Sequence, residues 1–86
     1  MAYNRSRTVP PWRTKSQLYV DEQLSSVGDL EHCVRTWLAL PDDRQASARL
    51  LSRRCVTLPD AVAVCLEPRD LAWLAGLLPR LRPADE

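Results

Sequence analysis

The sequence predicts a small α+β domain of about three to four helices, with a C-terminal β-hairpin placed just before the last helix. Three observations carry that expectation. The stretch from Cys55 to Leu81 changes its apolar period from two to about 3.6. The segments before it place apolar residues at helical spacing. The length of 86 residues allows one small core, since a chain of this size hides only about 60 to 65% of its unfolded surface. The alternative is an all-α helical bundle, which results if the hairpin segment is itself a helix.

Residues 1 to 13 hold Arg5, Arg7 and Arg13 and no acid, and Pro10-Pro11-Trp12 favours extended chain because proline restricts both itself and its predecessor. This segment reads as a basic flexible arm, residues 14 to 82 as the compact domain and residues 83 to 86 as a frayed tail. At Thr14 the T-x-x-Q pattern to Gln17 fits a capping box, and Leu18, Tyr19 and Leu24 offer a loose apolar face for a first helix. A second helix begins between Ser26 and Asp29, with Leu30, Cys33, Val34, Trp37 and Leu38 on one stripe, and ends at Pro41. Asp42 then caps a third helix with Gln45 at N3; Ala46, Leu50 and Leu51 face inward while Arg44, Arg49, Arg53 and Arg54 stay near water. No internal repeat is visible.

The hairpin is placed by register. If Pro59, Asp60 and Ala61 form a three-residue loop, Leu58 pairs with Val62 and Val56 with Val64, which puts these four branched residues on one face. Cys55, Thr57, Ala63 and Cys65 then share the other. The weak point is Ala61, at a turn position that usually takes glycine. The last helix opens at Pro68, with Asp70 favoured by the positive N-terminus and Leu71, Leu74, Ala75 and Leu78 at helical spacing; Trp73 and Leu77 widen the stripe, and Pro79 and Pro83 end it.

A formal charge of +1 gives no whole-chain electrostatic argument for nucleic acid or membrane. The longest uncharged run, Leu71 to Pro79, is far shorter than the roughly 20 residues a membrane helix needs, and no secretory signal precedes the domain, so a cytoplasmic location is expected. The three cysteines form no CxxC pair and no zinc spacing, and two glycines far apart make no phosphate loop; no metal or cofactor is expected. Neighbours on a helix point about 100° apart, so His32 and Cys33 are not a nucleophile and its base, and no serine sits in a nucleophile-elbow context. The chain therefore reads as a non-enzyme.

What remains are cations and tryptophans. Arg5, Arg7, Arg13 and Lys15 gather near the N-terminus with Trp12 among them, and Arg49, Arg53 and Arg54 lie along the third predicted helix. Trp and Arg often dominate binding energy at protein interfaces. The expectation is a small interaction module that docks on a larger protein partner and blocks or adapts it. Leucine, alanine, arginine and proline richness suggests a high-GC genome, and small motif-free domains are common in bacteria, phages and plasmids; the narrower form of the expectation is a mobile-element inhibitor of a host nucleoprotein defence complex, its arginines occupying sites near that complex's phosphates. The alternative is a small nucleic-acid-binding transcriptional regulator. Its helix-turn-helix frame would present Asp60, Ala61, Ala63 and Glu67, a surface poor in base-reading groups. Homodimerisation through Leu71, Leu74 and Leu78 of the last helix is a further expectation.

Overall fold

A computed structural model describes residues 10 to 78. The chain forms β1 (Lys15–Val20), β2 (Gln23–Asp29), α1 (Leu30–Leu38), α2 (Asp42–Ala46), β3 (Ala48–Thr57), β4 (Val62–Leu66) and α3 (Pro68–Ala75). The strands make one antiparallel sheet in the order β2-β1-β3-β4. The chain thus runs as two ββα units whose first strands pair at the centre. The α+β class agrees with the expectation, but the order of helices and strands does not.

One predicted helix is a pair of strands, and another is a short helix followed by a strand. The segment after Thr14 alternates rather than winding: Ser16, Leu18 and Val20 are buried, while Lys15 is exposed and Gln17 and Tyr19 are half-buried. No capping box forms at Thr14; its carbonyl accepts from the Ser16 hydroxyl instead (3.3 Å). The third predicted helix stops after Ala46, and Ala48, Leu50 and Ser52 turn inward while Arg49, Leu51 and Arg53 turn outward. The Leu50-Leu51 doublet that fits a helical stripe is therefore split between the two faces of the sheet. Pro41, not Asp42, is the N-cap of α2. This short helix is fixed by Trp37, whose indole N–H donates to the Gln45 carbonyl (3.2 Å) while the Gln45 amide donates back to the Trp37 carbonyl (3.1 Å).

The hairpin before the last helix exists, with a different register. Thr57 pairs with Val62 and Val56 with Ala63, one residue off the predicted pairs. A four-residue loop closes it through the Leu58 N–H to the Ala61 carbonyl (2.7 Å), and no positive φ is required at Ala61. Because side chains alternate along a strand, that shift separates the four branched residues. Val56 and Leu58 are buried, and Val62 and Val64 are exposed. The pairing is also irregular between Leu51 and Val56.

The core lies between one face of the sheet and the helices. Leu18, Leu50, Val56 and Leu66 from the strands meet Leu30, Cys33, Val34 and Trp37 of α1 and Leu71 and Leu74 of α3. Asp29 caps α1 through the His32 backbone N–H (2.8 Å), and Asp70 accepts from the Glu67 N–H at the start of α3 (3.0 Å), with Pro68 in the first turn as predicted. Leu71 and Leu74 are spent in this chain's own core, which leaves Trp73 and Leu77 as the exposed apolar residues of that region.

Candidate functional site

Among the described residues, no helix covers the face of the sheet turned away from α1 and α3. Along β3 the outward residues are Arg49, Leu51 and Arg53, and the register sets Leu51 beside Gln17 and Arg49 beside Tyr19 on β1. Gln17 is in turn beside Val27, and Tyr19 beside Leu24, on β2. Leu24, Val27 and Leu51 are exposed at 53%, 60% and 42% of their surface. A sheet normally sends its apolar residues to the covered face. Here the uncovered face keeps an apolar centre.

Two clefts flank Leu51. One, of about 310 Å³, is lined by Lys15, Gln17, Val27 and Arg53; the other, of similar size, by Tyr19, Glu22, Arg49 and Cys65. Continuing the β1–β3 register one step beyond Ser16 and Ser52 puts Lys15 beside Arg53. Like charges directly across a strand pair are unfavourable, so these two cations make the cleft electropositive.

The ion pairs show where charge is left over. Arg13 is bound to Asp29 (3.1 Å) and Glu31 (3.5 Å), Arg35 to Glu31 (3.0 Å), Arg44 to Asp21 (3.7 Å) and Arg69 to Asp70 (3.9 Å). Among the described residues, Lys15, Arg49, Arg53 and Arg54 have no ion-pair partner, and all four stand on the two central strands.

The residues singled out in the sequence thus fall into separate groups. Lys15, Arg49 and Arg53 share the open face. Trp12, Arg13 and Arg54 line a third cleft, with Pro11 and Thr14. Trp12 is half-buried against the core, and its carbonyl accepts from the Glu31 N–H (3.2 Å) while the Thr14 carbonyl accepts from the Leu30 N–H (2.8 Å). Residues 12 to 14 therefore satisfy the first amides of α1, which otherwise lack partners. Arg5 and Arg7 lie outside the described residues.

One contact was not legible in the sequence. The Ser26 hydroxyl lies 3.0 Å from Nε2 of His32, joining β2 to α1. A serine beside a histidine supplies two of the three members of a hydrolytic triad. The Asp29 carboxylate, however, is engaged by the His32 backbone N–H and by Arg13, and the Leu30 and Glu31 amides are taken by residues 14 and 12. The imidazole instead packs on Gly28, where an added Cβ would stand 2.6 Å from its Cδ2 and 3.2 Å from its Cβ. Cys33 is buried, and that burial, with Asp29 nearby, pushes its thiol up to about 11, which leaves it unreactive at neutral pH.

Residues 59 to 67 form a turn and a strand, so the helix-turn-helix frame has no recognition helix. Among the described residues no helix is long and apolar enough to cross a membrane. No family model, curated protein or solved structure matches this chain.

Proposed function

We propose that this chain is a non-enzymatic docking module that binds a larger protein through the open face of its sheet and blocks or adapts that partner. The observation that supports this reading is the gathering of unpaired cations on β1 and β3 around exposed Leu51, Val27 and Leu24. Free guanidinium groups beside exposed apolar side chains are the raw material of an interface centre. A nucleic acid would want stacking aromatics among the cations. Among the described residues this face offers only Tyr19, half-buried, with its hydroxyl turned to Gln17 (3.4 Å).

The test is a comparison of captured partners from the native host. Wild type, Arg49→Glu/Arg53→Glu and, as a control on α2, Asp43→Lys are used as bait after circular dichroism shows that each is folded. The reading expects a nuclease-resistant protein partner held by wild type and Asp43→Lys and lost by the double variant. Identical capture by all three, or capture that nuclease abolishes, overturns it.

A further inference from the structure

The geometry points to an acidic amphipathic helix of the partner as the element that occupies the groove over Leu51, an inference that rests on the docking reading above. The inner face of the sheet is already covered by α1 and α3, whereas among the described residues no helix covers the outer face. A helix laid there would complete a layer on each side of the sheet, one of the stable ways to bury two apolar faces.

Charge selects its chemistry. Arg49 stands in one cleft and Arg53 with Lys15 in the other, and Leu51 lies between them. Arg49 and Arg53 are four positions apart on an extended strand, about 13 Å at roughly 3.3 Å per residue. On a helix running along β3 that span is between two and three turns of about 5.4 Å. Carboxylates two to three turns apart on one stripe would meet the two cationic ends, and leucine-like side chains between them would cover Leu51 and Val27. A second copy of this chain fits poorly, because opposing faces would bring Arg49, Arg53 and Lys15 against one another. Glu22, at the rim of the Arg49 cleft, is the one acid among the residues lining the two clefts. It disfavours a polyphosphate at that end and leaves the stronger anion site at Arg53 and Lys15.

The probe is a synthetic helical peptide with leucines on one stripe and glutamates spaced two and three turns apart along its edges. Controls are the same peptide with lysine for glutamate and a single-stranded oligonucleotide. Each is titrated into the full chain and followed by amide and methyl chemical shifts. The glutamate peptide should move the resonances of Gln17, Val27, Leu51 and Arg53 and leave those of α1 in place. Arg49→Glu/Arg53→Glu should weaken it by at least about tenfold, or 1.4 kcal/mol. No shift on this face at millimolar peptide overturns the proposal, as does equal binding of the lysine peptide or a larger response to the oligonucleotide. If host capture depends on Arg49 and Arg53 but the glutamate peptide does not bind, the docking reading stands and the acidic helix falls.

Discussion

Gly28 shows how much one missing methyl group decides. A Cβ there would meet the His32 ring and its Cβ, so the whole side chain, not a flexible tip, would have to move. Gly28→Ala should break the Ser26–His32 contact, with a cost of about 1 to 3 kcal/mol in denaturant unfolding, the usual range for forced overpacking. Asp29, one residue on, is held below the ordinary carboxylate range first by the His32 backbone N–H and then by Arg13. Its contribution is therefore fully present above the unfolded value near 3.8 and is lost as pH falls through the lower folded value. Asp29→Ala should lower stability by about 1 kcal/mol at pH 7, and the difference from wild type should shrink in acid melts below the unfolded value. Of the three thiols, Cys55 and Cys65 are exposed and Cys33 is not. A thiol-reactive dye at pH 8 should label two per native chain, and a third only on unfolding.

At the scale of elements, both helices that form the inner layer were legible. Their apolar stripes, the Asp29 cap and Pro68 all lie within the element itself. The strands were harder to read because their signals are diluted. Serines occupy the inward positions 16 and 52, so the period of two in β1 and β3 is broken by buried polar residues. Those hydroxyls are satisfied locally, Ser16 by the Thr14 carbonyl and Ser52 by the Arg54 carbonyl (2.7 Å). The β1–β2 turn hid itself for a different reason. Asp21 and Glu22 both have positive φ, 53° and 66°, the backbone of a two-residue hairpin turn that favours Asn-Gly. Two acids there give no turn signal and carry strain. Asp21→Asn/Glu22→Gly should raise stability by about 1 kcal/mol, or roughly 4 to 8 °C in the melting temperature. An unchanged or lower melting temperature would contradict that assignment.

At the scale of the molecule, the repetition of ββα escapes the sequence because it lies in topology and not in residues. The candidate site was legible in parts: the residue types were visible, and their grouping was not. Arg49 and Arg53 read as one face of a helix, and they do share a face, but it is the face of a sheet with Leu51 between them. Lys15 joins them only because β1 pairs with β3, a contact no local pattern encodes. Trp12 and Arg13, expected on a free arm, are tied to the start of α1. Deleting residues 1 to 13 would therefore remove part of the fold, and the contribution of Arg5 and Arg7 to binding is better tested by substituting those two side chains in the full chain.

The proposed role of the open face is to hold a protein partner through its unpaired cations. It is tested most directly by the dissociation constant of the captured partner for wild type and for Arg49→Glu/Arg53→Glu, measured by calorimetry at low and high salt. A loss of at least about tenfold is expected for the double variant, with a wild-type affinity that weakens with salt. Equal affinities for the two folded proteins would contradict it.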